Sequence, residues 1–163
     1  MTRSFRLGTG AGFSSDRLDP AVDLVREGAL DGIVFEGIGE RTLAFGHRDR
    51  MAKPAAGYNP LLERRLRAVL PLCVRNGTRL ITNMGVANPN AAAEKAVEIA
   101  RELGLWGQKI GAVVGDDVTD FIGADTELDH QGMTVADVGR PMVGANAYLG
   151  ADAILPALDG DVD

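Results

Sequence analysis

The chain has 163 residues, a formal net charge of −6 and a sequence pI near 4.9. An acidic balance of this size lacks the attraction for phosphate that nucleic-acid binders rely on, and no apolar run approaches the ~20 residues that span a bilayer, so nucleic acid and membranes are set aside as partners. A single cysteine, Cys73, excludes an internal disulfide and a cysteine zinc cluster.

The 45% hydrophobic and 25% charged residues are ordinary for a globular chain, and the length suits one domain covering residues 1–163. Only 5% of residues are aromatic while 21 are glycine, which fits an α/β protein with tight strand-to-helix loops better than an aromatic-cored sandwich. The N-terminus lacks an apolar signal core, which points to a cytoplasmic chain. Arg64, Arg65 and Arg67 stand beside Glu63 with the spacing of a wet helix face. Cys73 lies in an apolar stretch and reads as a small buried hydrophobe rather than a nucleophile.

Taken in order, Ser4 to Gly8 reads as a first strand that runs into the glycine-rich stretch Gly8 to Asp16. Asp19 as N-cap with Pro20 behind it opens a short helix that Gly28 closes. Gly32 to Phe35 is a second strand, apolar throughout as a strand buried on both faces would be, and it ends on Glu36. A helix follows from about Glu40 to Met51. Asn59-Pro60 repeats the cap-and-proline device, and Leu61, Leu62, Leu66, Val69, Leu70 and Cys73 give the next helix one apolar face, with Pro71 expected to kink it.

The clearest unit is Arg79 to Gly85 followed by Val86-Ala87-Asn88-Pro89: a strand, a loop and a capped alanine-rich helix that runs to about Leu103. Lys109 to Val114 reads as a fourth strand ending on Gly115-Asp116-Asp117, with a helix over Val118 to Ile122 behind it. Gly123 to Arg140 is a long loop with one helical turn, of a length more often functional than idle. Ala145 to Leu158 is helix-like, and Val162 begins like a further strand, so the chain reads as ending or cut just before it. Strands alternating with helices imply an α/β fold with a mostly parallel sheet, three-layered with helices on both faces, Rossmann-like or flavodoxin-like.

In such folds ligands gather at the carboxyl ends of the strands, and the candidates for chemistry fall there. Gly10, Ala11, Gly12 and Ser14 offer backbone amides for an anionic group, although the spacing is GxGxG rather than the dinucleotide GxGxxG, and the same glycines also suit a tight turn. Glu36 is either a base whose burial tunes it toward neutrality, or the cap of the next helix or a partner of Arg41. Asn83 offers an amide donor for a carbonyl or oxyanion, or ties down its own loop; Asn88 is the N-cap. Asp116 and Asp117 form a carboxylate pair able to hold Mg²⁺, or one of them caps the short helix behind. His47 and His130 are single, lack metal-ligand spacing and read as solvent-exposed. No nucleophile elbow, zinc-protease, Walker or kinase signature is present.

Six blocks taken together resemble the N-terminal domain of the acyclic terpene utilisation (AtuA) family. They are Gly10-Ala11-Gly12-Phe13-Ser14 with Asp16-Arg17; Phe35-Glu36 with Glu40-Arg41-Thr42; and Gly57-Tyr58-Asn59-Pro60-Leu61-Leu62. The others are Thr82-Asn83-Met84-Gly85 with Ala87-Asn88-Pro89; Gly115-Asp116-Asp117-Val118; and Asn146-Ala147-Tyr148-Leu149-Gly150-Ala151. The match runs in order along nearly the whole chain, and known members continue further. The resemblance implies bacterial breakdown of acyclic terpenes such as citronellol and geraniol through acyl-CoA intermediates.

These readings combine into one expectation: a catabolic enzyme, or its N-terminal domain, acting on an acyl-CoA thioester or small carboxylic acid by hydration or proton abstraction next to a carbonyl. Glu36, Asn83 and Asp116 are its candidate catalytic residues, and Gly10, Ala11, Gly12, Ser14, Arg41, Thr42 and Asn146 its candidate ligand contacts. A non-catalytic subunit binding a ligand or an enzyme partner, and a nucleotide-binding domain, are the alternatives, and a second copy or a partner subunit is the expected assembly.

Overall fold

The computed structural model describes residues 4–129, 132–160 and 162–163. Three strands, β1 (Leu7–Ala11), β2 (Gly32–Phe35) and β3 (Arg79–Thr82), form a parallel sheet in the order β1-β2-β3. The central strand buries Ile33 and Phe35 completely, while Val34 on the other face is half-buried. With all three strands running the same way, the chain leaves each at one edge, and Gly12, Glu36 and Asn83 become neighbours.

The first strand lies three residues later than expected. Its glycines belong to the sheet, because a Cβ on Gly10 would fall 2.6 to 2.7 Å from the Phe35 ring and one on Gly8 2.5 Å from Leu30 Cδ1. Gly10 and Ala11 are therefore strand residues, and the smallness of Gly10 lets the Phe35 ring lie flat on β1.

Helices α1 (Asp19–Glu27) and α3 (Leu62–Asn76) pack on β1 and β3 and also touch one another, so they share one face of the sheet, and α4 (Pro89–Glu102) extends the row against α3. Asp19 is the first residue of α1 rather than its cap, and pairs with Arg17. Pro71 is accommodated within a continuous α3. Asn88 caps α4 as expected, accepting the Ala91 N–H at 3.3 Å while its Nδ2 donates to the carbonyls of Pro54 and Ala56.

Helix α2 (Glu40–Ala52) lies at the carboxyl edge. A Cβ on its Gly46 would come within 2.6 Å of Val86 Cγ1 and 2.9 Å of the Gly57 carbonyl, and Arg50 Nη1 donates to the Ala87 carbonyl at 2.6 Å. The α/β class and the parallel sheet stand; among the described residues the helices packed on the sheet form one row, and the expected second helical face is not seen.

Arg65 is not on a wet face. It is 2% exposed, in the buried stripe of α3 with Leu62, Leu66, Val69 and Cys73. Its guanidinium lies 5.8 Å from the Phe35 ring centroid and donates to the Asp16 carbonyl at 3.2 Å. Burial lowers its pKa, and the nearby Asp16 charge opposes that shift.

The second half departs further from expectation. Segment 109–114 forms no strand among the described residues. Gly111 packs against α5 (Leu155–Asp159) and Val162, a Cβ there meeting Val162 Cγ2 at 3.4 Å and Ala157 Cβ at 3.5 Å, and these residues line a cleft together with β3. The expected pairing with β3 does not form; the segment instead meets Asp163, whose N–H donates to the Lys109 carbonyl at 3.1 Å while the Lys109 N–H donates to Asp163 Oδ2 at 2.8 Å. Residues 145–149 are extended rather than helical: Asn146 bridges Asp117 antiparallel, and Ala147 N–H donates to the Asp116 carbonyl at 2.7 Å. Helix appears only as the 3₁₀ turn Ala151–Ala153 and α5, whose Pro156 belongs in a first turn and not in the middle of a longer helix. The expected helix over 118–122 is the 3₁₀ turn Thr119–Phe121, and the long loop carries a two-residue hairpin, β4 (Glu127–Leu128) with β5 (Met133–Thr134), and the 3₁₀ turn Ala136–Val138. Among the described residues no helix is long and apolar enough to cross a membrane.

Candidate functional site

The carboxyl edge is stitched together by side chains from successive strand ends. Glu36 and Asn83 follow β2 and β3, and the Glu36 N–H donates to the Ala11 carbonyl at 3.0 Å. Asn83 Nδ2 donates to Glu36 Oε1 at 3.0 Å, and Asn83 Oδ1 accepts the Gly37 N–H at 2.9 Å. Glu36 Oε1 also accepts the Ile38 N–H at 2.8 Å. Each side chain thus holds the loop of the other. Among the described residues, the second N–H of Asn83 and Glu36 Oε2 are left to meet a ligand. Among the described residues Glu36 makes no ion pair with Arg41.

The glycine-rich stretch uses its own anion. Gly12 N–H donates to Asp16 Oδ2 at 2.9 Å, so a loop amide expected to meet a ligand is occupied by an internal carboxylate. Ser14 is half-buried, its Cα 3.3 Å from where a Gly37 Cβ would lie. Arg41 and Thr42 occupy the first turn of α2, Arg41 exposed and Thr42 half-buried.

A second cluster stands where α2 meets the later loops. Asp116 Oδ2 accepts from Asn146 Nδ2 at 2.9 Å, and Asn146 Oδ1 lies 2.6 Å from His47 Nε2. His47, expected to be exposed, is 3% exposed, because Gly46 lets α2 sink onto Val86 and because Gly144 passes directly over the ring, a Cβ there falling 2.4 Å from His47 Cγ. His130 lies outside the described residues.

The two aspartates part company. Asp117 pairs with Arg50 Nη2 at 2.6 Å and accepts from the Thr119 N–H at 3.1 Å and hydroxyl at 2.6 Å, while the N-cap position of the 3₁₀ turn is Val118. Burial works against its ionisation, but the Thr119 and Arg50 hydrogen bonds outweigh it and bring the carboxyl down to about 2. With Asp117 neutralised by Arg50 and Asp116 held by Asn146, the pair does not converge on one point. Among the described residues no three His, Cys, Asp or Glu side chains are grouped to hold a metal ion.

The clusters share one cleft of about 420 Å³ between β3, α4 and segment 110–113. Asn83, Asp116 and Asn146 border it, with Leu80, Ala92 and Val113 among its apolar walls. Glu36 reaches it through Asn83, whereas Gly10, Ala11, Gly12, Ser14, Arg41 and Thr42 stand away from it. The arrangement suits an amphiphilic ligand: polar groups with a donor amide and a carboxyl group beside a mostly aliphatic wall.

His47, Asn59 and Arg65 are residues that sequence reading assigned elsewhere. Asn59, taken as a helix cap, is 2% exposed beside Gly37, with its Oδ1 accepting the Leu61 N–H at 2.8 Å. Arg65 was identifiable by position, since it falls on the i, i+3, i+4, i+7 stripe of α3. His47 had no such signal, because its burial is made by residues distant in the chain.

No curated protein and no solved structure matches the chain. A family model does: that of the acyclic terpene utilisation family protein AtuA, over residues 5–163.

Proposed function

Since the chain belongs to the acyclic terpene utilisation family AtuA, we propose that it serves in catabolism of such carbon skeletons by acting on an acyl-CoA thioester or small carboxylic acid, through hydration or proton abstraction next to a carbonyl. The observation that carries this reading is the shared cleft, where Asn83, Asp116 and Asn146 stand at the edge of an aliphatic wall. A thioester or carboxylate needs a donor to its carbonyl oxygen, and the N–H of Asn83 not spent on Glu36 can supply it. Proton transfer needs a carboxylate within reach of the neighbouring carbon; Asp116 borders the cleft and Glu36 adjoins it through Asn83.

The test compares Glu36→Gln and Asp116→Asn with the parent in hydration and isomerisation assays on branched acyl-CoA thioesters. Turnover falling by about 10²-fold or more in one variant identifies the base; turnover unchanged in both removes both from the mechanism. A second reading, a non-catalytic subunit binding a ligand or an enzyme through this edge, draws support from the way Glu36, Asn83 and Gly37 spend hydrogen bonds on one another. It predicts no turnover by the isolated chain and activity only after a partner is added.

A further inference from the structure

Asn146 stands between two groups whose demands fix its orientation. An ionised carboxylate only accepts hydrogen bonds, so the side of Asn146 toward Asp116 Oδ2, 2.9 Å away, must be the NH₂. The opposite side is then the carbonyl oxygen, which also only accepts, and it lies 2.6 Å from His47 Nε2. The hydrogen of this contact must therefore sit on His47 Nε2.

The surroundings hold this chain of bonds in place from both ends. Backbone bonds from Ala147 N–H to the Asp116 carbonyl at 2.7 Å and from Val118 N–H to the Ala145 carbonyl at 2.9 Å lock Asn146 against Asp116. The His47 ring is fixed by Gly144, where a Cβ would fall 2.5 Å from Nδ1. Asp116 Oδ1 has no hydrogen-bond partner among the described residues, and Asp116 borders the cleft while His47 does not.

We propose that His47 is a positioning residue for the Asp116 carboxylate, acting through Asn146 as a one-way relay of hydrogen bonds that holds Oδ2 and leaves Oδ1 for a donor-bearing ligand group. The ligand class is a hydroxyl next to an acyl or carboxylate group, or the water that becomes that hydroxyl. This deepens the reading above and rests on Asp116 facing the ligand. His47 touches no ligand: it determines which carboxylate oxygen is free and in what direction.

Long-range ¹H–¹⁵N spectra of the ¹⁵N-histidine-labelled chain test the relay without any ligand, with His47→Gln assigning the two histidines. The expected result is a fixed Nε2–H tautomer for His47; an Nδ1–H ring, or one averaging between tautomers, overturns the proposal. Asn146 side-chain amide exchange is the second readout. His47→Gln keeps an N–H donor at the Nε2 position and retains the slow exchange of the parent, whereas His47→Leu accelerates it by about tenfold; equal exchange in the two variants overturns the relay. Adding 3-hydroxybutyrate separates this outcome from the functional reading. A shift of the Asn146 amide in the parent and in His47→Gln supports Asp116 as the ligand-facing group, and no shift in the parent removes that role while the tautomer alone decides the relay.

Discussion

Asn83 Nδ2 donates to Glu36 Oε1 across 3.0 Å, joining the first residues beyond two neighbouring parallel strands. The contact is reciprocal at the level of loops, since Asn83 Oδ1 takes the N–H of buried Gly37. Asn83→Leu strands that N–H and should cost about 1–3 kcal/mol. Glu36→Gln keeps an acceptor oxygen in place and should cost less than about 1 kcal/mol. Urea unfolding midpoints separate the two, and equal midpoints would show that the pair does not hold the edge together.

Asp117 makes the protein acid-sensitive in a defined interval. Its carboxyl stands at about 2 against an ordinary value of 3.8, so its contribution is complete above 3.8 and is lost as pH falls toward 2. The side chain is about a third exposed (34%), and solvent screening discounts the effect to about 1 kcal/mol. Asp117→Asn should be less stable than the parent near neutral pH and show a flatter stability profile between pH 4 and 2, as measured by thermal melts across that range.

Arg65 offers a test of what a buried charge contributes. Its guanidinium is enclosed by Phe35, Met84 and the Asp16 carbonyl and forms no salt bridge among the described residues. Replacement by an apolar chain of similar length is often neutral or stabilising, whereas truncation leaves a cavity. Arg65→Met should unfold within about 1 kcal/mol of the parent, and Arg65→Ala should lose about 2–5 kcal/mol. A large loss in both variants would instead place the stabilisation in the charge.

Two glycines that look alike in sequence should respond in opposite ways. Gly10→Ala drives a methyl group into the Phe35 ring at 2.6 Å and should cost about 1–3 kcal/mol, while Gly12→Ala meets nothing within 4 Å and should be nearly silent. Calorimetric melting temperatures decide the matter.

Backbone amide exchange distinguishes segment 109–114 from a strand. With no strand pairing among the described residues, its amides after Lys109 should exchange far faster than those of β2, whose ladder bonds run to both neighbours. Protection equal to β2 would show that the segment does pair with β3.

Much of the first half was legible because local signals and tertiary demands coincide there. Ile33 and Phe35 mark β2 because both point into the core, and Asn88-Pro89 announces α4 because the cap and the first turn need only neighbours in sequence. Arg65 was misassigned by residue type although its position lay in the apolar stripe. His47 was illegible for another reason: the glycine that covers it, Gly144, and the amide that binds it, Asn146, lie almost a hundred residues downstream. The same holds for 109–114 and 145–149, where period and propensity describe an isolated segment and say nothing of which neighbour lies alongside. At the candidate site, the position of Glu36 and Asn83 could be read from strand ends, whereas their mutual hydrogen bond depends on adjacent strand order.

Cys73 lies inside α3 at 2% exposure, and burial pushes its thiol up to about 11. At neutral pH almost none of it is thiolate, and a maleimide or disulfide reagent must wait for the helix to leave the core. As the chain has one cysteine, its rate of labelling is a clock for that opening event. Ligands that bind the closed carboxyl edge can thus be ranked by how far they slow the clock, before any turnover assay exists.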